Sequence, residues 1–138
     1  VVTIKYGSQE YKVAISHMHW GSSKLNPTNA CKRMLEHDYP EADIIFLGHT
    51  HQKEVLHFNR AGKDHVGVIG GTYKTSDEFG SEHGYGSCRG NIGGITLAIF
   101  PDTKKIVPFY SIQEAEEDLL LRLEVKDKHE TLHKPISK

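Results

Sequence analysis

Three histidines stand where a metal ion could use them. His17 follows the apolar run Val13-Ala14-Ile15 and Ser16, and His49 follows Ile44-Ile45-Phe46-Leu47 and Gly48. His51 comes two residues later, with Thr50 between. An imidazole nitrogen binds a divalent ion at about 2.0–2.1 Å. Adjacent strands lie about 4.8 Å apart, so two histidines at neighbouring strand ends reach one ion without strain. His49 and His51, leaving a strand through one tight turn, can point at two ions, and two-metal hydrolytic sites hold their ions about 3.5–4 Å apart. Gly48 lets the backbone approach a ligand closely. One histidine at a strand end is ordinary, and a His-x-His pair arises by chance in a chain with ten histidines. The combination is more specific: two apolar strands, each ending in histidine, joined by one helix.

The elements that must position these groups can be read from periodicity. Residues 2–6 and 10–16 read as strands around the turn Gly7-Ser8-Gln9. Ser16 to Ser23 has no period and reads as a loop. A helix is expected next, with Asn26 as N-cap, Pro27 at its first position, and Ala30, Cys31, Met34 and Leu35 as the core-facing stripe. Asp38-Tyr39-Pro40-Glu41 ends it, and residues 44–47 form a second buried strand. Strand, helix and strand make one βαβ unit, which places both histidines at the carboxyl edge where open α/β sheets build their sites.

Further on, residues 54–58 and 66–69 read as a hairpin around Arg60-Ala61-Gly62-Lys63-Asp64. Glycines at 70, 71, 80, 84, 86, 90, 93 and 94 mark a long irregular loop. Residues 95–100 and 105–110 read as a closing strand pair. Ser111 and Glu114 match a capping box, with Ile112, Ala115, Leu119 and Leu123 on one helical face. Leu119–Val125 also fits a strand. Residues 126–138 are charged and expected to fray.

The chain has 138 residues, 37% hydrophobic and 25% charged, with a formal net charge of −1. Such a composition builds a hydrophobic core and excludes a disordered chain. The near-neutral charge argues against a surface dedicated to coating nucleic acid, though not against a nuclease with a local basic groove. The longest apolar run is far too short to span a bilayer, so no membrane partner is expected and a cytoplasmic location is. Cys31 and Cys88 form no CxxC, and reduced thiols are expected over a disulfide. The opening at Val1-Val2-Thr3-Ile4 reads as a strand without an initiator methionine, as in a piece of a longer or processed product.

Gly48-His49-Thr50-His51 resembles the Gly-His-x-His motif of the calcineurin-like metallophosphoesterases, and His17, 32 residues before His49, resembles that family's preceding metal-binding histidine. The resemblance covers roughly residues 1–110 and is specific between 13 and 51. It implies an α/β fold, part of a β-sandwich flanked by helices with its N-terminal half absent, over residues 1–110, with 111–138 as a C-terminal helix or strand and charged tail. It also implies a dinuclear centre of Mn, Fe or Zn hydrolysing phosphoesters, in which His17 and His49 bind one ion and His51 the other. The expected substrate is a phosphodiester, with nucleic acid as the favoured example; a phosphomonoester or phosphoprotein, and a non-catalytic regulatory half-domain, are the alternatives.

The chain departs from the family where the Asp-x-His pair, the bridging aspartate and the Asn-His motif would stand. Asn91 has no following histidine, and Asp77-Glu78 lies far downstream. The missing ligands are expected from the upstream half of the same domain or from a companion chain. His19 is the catalytic candidate, touching a phosphate oxygen or sitting one layer behind the ligands. Trp20 reads as a packing residue, and His57, His65, His83, His129 and His133 as surface or hairpin residues.

Overall fold

A computed structural model describes residues 1–23, 25–73 and 92–132. The described chain is α/β, with a mixed five-stranded sheet, a separate two-stranded sheet and two helices. In chain order the elements are β1 (Val2–Tyr6), β2 (Gln9–Ser16), α1 (Asn29–His37), β3 (Ile44–Leu47), β4 (Glu54–Arg60), β5 (Lys63–Ile69), β6 (Thr96–Phe100), β7 (Lys105–Phe109) and α2 (Ile112–Leu132).

The large sheet has the order β1-β2-β3-β5-β4. Its centre, β2, β3 and β5, is parallel, and β1 and β4 flank it antiparallel. Buried parallel strands are covered on both faces and therefore read as continuous Val/Ile runs. α1 lies on one face, where Ala30, Cys31, Met34 and Leu35 pack with Ala14, Ile45, Leu47 and Ile69. Gly67 makes this approach possible: a Cβ there would stand 2.8 Å from the Cys31 Cβ. The other face buries Tyr11, Val13, Ile44, Val66 and Val68. The β6–β7 hairpin meets that face, where the Tyr11 hydroxyl donates to the Phe100 carbonyl at 3.4 Å.

Several boundaries differ from the sequence expectation. The β1–β2 turn is two residues long, because Gln9 pairs with Tyr6, and Gly7 adopts φ 60°. The second hairpin closes on Ala61 (φ 51°) and Gly62 (φ 79°), the two left-handed positions a tight hairpin turn prefers, so both its strands run longer than periodicity indicated. α1 starts at Asn29 with Thr28 at the N-cap position and no side-chain cap. Asn26 and Pro27 belong to the preceding turn, where the Asn26 amide donates to the Ser23 hydroxyl. With the N-terminal half of the resembled fold absent, strands 13–16 and 44–47 would be expected to take sheet neighbours from outside the chain. Both are interior here, and the sheet edges are β1 and β4.

The capping box forms: the Glu114 amide donates to Ser111 Oγ at 3.1 Å, and Glu114 Oε2 accepts from the Tyr110 amide at 3.0 Å. α2 is helical through Leu132, which excludes the strand reading of Leu119–Val125 and extends order past residue 126. Of its expected apolar face only Ala115 is buried; Ile112, Leu119 and Leu123 are exposed. The glycine-rich loop, Cys88, Asp77, Glu78 and His83 fall outside the described residues for most of the segment's length, as does His133. No described helix is long and apolar enough to cross a membrane.

Candidate metal-binding edge

The ladder between β2 and β3 holds to its last residue, with Ser16 opposite Leu47 and the Gly48 amide donating to the Ser16 carbonyl at 3.2 Å. His17 and Gly48 therefore leave the sheet side by side. The chain then turns sharply, the Thr50 amide donating to the Gly48 carbonyl at 2.9 Å. The turn places His49 at φ 71° and His51 at φ 54°. Left-handed backbone at non-glycine residues is costly and concentrates at functional sites. Gly48 itself does not take up the strain, and a Cβ there would only touch the His17 carbonyl at an ordinary 3.5 Å. The strain sits on the histidines and not on the glycine.

This geometry brings His17 Nε2 to 3.0 Å from His49 Nδ1, with the rings tilted 65° apart. Two nitrogens sharing an ion at about 2.05 Å stand about 2.9 Å apart at a right angle and about 3.3 Å apart at the tetrahedral angle. The observed spacing lies within that span, so the pair fits two positions on one ion. Both side chains are exposed. Among the described residues no three His, Cys, Asp or Glu side chains form a group able to hold a metal, so His51 does not complete a three-ligand cluster with this pair.

The loop that carries His17 is tied down by α1. His19 Nε2 lies 2.7 Å from Asp38 Oδ2, just past the helix end, and its Nδ1 lies 3.0 Å from the Trp20 carbonyl oxygen. Both ring nitrogens of His19 are thus engaged. Trp20 stacks on His19, sits 5.4 Å from the His37 ring and receives the Arg33 guanidinium at 4.4 Å from its centroid. Asn29 Nδ2 donates to the Gly21 carbonyl at 3.0 Å. Trp20, expected as a packing residue, touches these neighbours but stays 56% exposed. Arg33, Asp38 and Asn29 were not singled out in the sequence, since polar residues on a helix surface carry no signal for what they reach.

The opposite end of the strands holds the charge that sequence reading missed. Asp43, only 4% exposed, immediately precedes β3. Its Oδ2 accepts from the Lys12 amide at 2.7 Å, and its Oδ1 lies 2.9 Å from Lys63 Nζ and 3.7 Å from Lys104 Nζ. Burial alone would push the carboxyl up, but the Lys12 N–H and the two ammoniums outweigh it and hold it below the ordinary carboxylate range. A lone acid at the mouth of an apolar strand was the available signal. Burial, and secondarily Asp43, raises the Tyr11 phenol. His65, read as a hairpin residue, is buried; its Nδ1 lies 2.7 Å from the Ala42 carbonyl oxygen, and Phe58 stacks on its ring. His57 is exposed, as expected.

No family model matches the chain, and it matches neither a curated protein nor a solved structure.

Proposed function

We propose that this chain supplies one side of a metal-dependent phosphoesterase centre. The observation that carries the reading is the 3.0 Å approach of His17 Nε2 to His49 Nδ1 at the carboxyl edge of two parallel strands. The left-handed backbone at His49 and His51 supports it by keeping both residues in the tight turn at the strand end. His17 and His49 would hold one divalent ion, Mn, Fe or Zn, and His51 would face a second. Bound there, such ions neutralise phosphate charge and activate water. The remaining ligands, carboxylates above all, come from outside this chain: an upstream half of the domain or a companion chain. A phosphodiester is the favoured substrate, by the resemblance of Gly48-His49-Thr50-His51 to metallophosphoesterases.

The chain's own residues divide the work. The His17 and His49 imidazoles orient the ion relative to the sheet. His19, with both nitrogens engaged, serves better as the brace that fixes the His17 loop against Asp38 than as a group touching phosphate. Titration calorimetry with Zn²⁺ and Mn²⁺ tests the reading. One ion should bind per chain, and His17→Ala or His49→Ala should each weaken it at least about a hundredfold, beyond what loss of an outer-layer partner costs. Unchanged affinity in both variants would sink it.

A further inference from the structure

We propose that α2 is a self-association helix, which pairs antiparallel with the α2 of a second copy of this chain. α2 packs on the β6–β7 hairpin through one narrow side. Ala115 is buried there, Asp118 is half-buried, and the Arg122 guanidinium, held by Asp118, sits 5.0 Å from the Phe100 ring centroid. Residues at this spacing mark a single stripe of the helix. About a quarter turn round the helix runs another stripe, made of Ile112, Glu116, Leu119, Leu123 and Lys126. Its steps alternate between four and three residues, the spacing of a coiled-coil seam. Every residue of this seam is exposed, Ile112 to 67%, Leu119 to 41% and Leu123 to 58%. Large apolar side chains aligned in this way on an exposed helix mark an interface.

The order of charges along the seam selects the occupant and its direction. Leu119 and Leu123 lie equally far from Leu121, one on each side, and so do Glu116 and Lys126. A two-fold axis at the level of Leu121 therefore sets Leu119 against Leu123 of the second copy and Glu116 against its Lys126. Each of these contacts occurs twice, as a symmetric interface requires. A parallel pair in register would instead oppose Glu116 to Glu116 and Lys126 to Lys126. The charges that favour one direction thus penalise the other. Leu121 and Val125 make a shorter stripe on the far side of α2, and its acid, Asp118, is already held by Arg122 beside the domain.

Sedimentation equilibrium of the full 138-residue chain, over a concentration series up to about 0.5 mM, tests the pairing. A seam this short should give a dimer with a dissociation constant of about 1–100 μM. Leu119→Gln keeps helix propensity and removes an apolar contact twice per dimer, so it should weaken association at least about tenfold. Leu121→Gln makes the same chemical change off the seam and should leave association unchanged. Glu116→Lys and Lys126→Glu each turn both cross-pairs repulsive, and each should weaken the dimer about tenfold. The double variant Glu116→Lys/Lys126→Glu restores opposite charges across the seam and should associate like the parent. All these side chains are exposed, so circular dichroism should show the same helix content throughout. A chain that stays monomeric, or a dimer that Leu119→Gln and Leu121→Gln affect equally, would overturn the inference. So would a double variant that associates no better than the single charge variants.

Discussion

At the carboxyl end of β2 and β3 two exposed imidazoles meet at 3.0 Å, on a turn whose backbone is strained at His49 and His51. At the amino end of the same pair of strands Asp43 is buried, and both its carboxylate oxygens are engaged by Lys12 and Lys63. The strand register is common to both ends, so the difference lies in what leaves the sheet. The amino end satisfies its charge and spends it on stability. The carboxyl end joins two exposed imidazoles by an N–H···N hydrogen bond and carries left-handed backbone at His49 and His51, which costs stability. A satisfied buried charge and a strained turn thus sit at opposite ends of one βαβ unit.

If this division is right, His49→Gly has the largest and most telling effect. Metal affinity should fall at least about a hundredfold, while stability should rise by about 0.5–1 kcal/mol, the left-handed strain being relieved in part against the entropy of glycine. Calorimetry and urea denaturation of one preparation measure both, and a destabilised variant would break the comparison. Asp43→Ala should do the reverse, costing about 2–3 kcal/mol as the charge-assisted bonds are lost with metal affinity unchanged. Lys63 and Lys104 are partly exposed and return to water, which limits the loss.

Gly67→Ala should cost about 1–2 kcal/mol in the same denaturation assay, since the new methyl meets Cys31 and α1 must shift. The smallest effect is the pH dependence of the Asp43 contribution. Its folded carboxyl lies below the ordinary range, so its stabilisation is complete above the unfolded value of about 4 and fades as pH falls through the folded one. Stability curves of the parent and Asp43→Ala should therefore run parallel near neutrality and converge in acid. A gap that widened in acid would contradict the direction of the shift.

How much of this could be read in the sequence varies by element. The Val13–Ser16 and Ile44–Leu47 runs announced themselves because a doubly covered parallel strand has no polar face to hide its length. The meeting of His17 with His49 followed from placing a histidine after each. What stayed hidden depends on partners distant in sequence. Asp38 caps α1 in any reading, but its bond to His19 requires knowing where the loop folds back. The left-handed backbone at His49 and His51 left no sign in the sequence, because residue type points to the neighbouring Gly48 and only the folded backbone shows which residue turns. The edges of the sheet were misplaced for a similar reason: the β1–β2 hairpin and β5 fill positions that the metallophosphoesterase resemblance had left to absent sequence.

Cys31 has a consequence of its own. The thiol is fully buried against β5, and burial pushes it up to about 12, so at neutral pH the folded chain presents essentially no thiolate there. Reaction with an alkylating reagent then waits for the moments when α1 lifts from Gly67. In a Cys88→Ser background the labelling rate becomes a stopwatch for that single seam, counting local openings rather than global unfolding. Since α1 also anchors the loop bearing His17, an ion bridging His17 and His49 would be visible as a slower clock at a sulfur that never touches it.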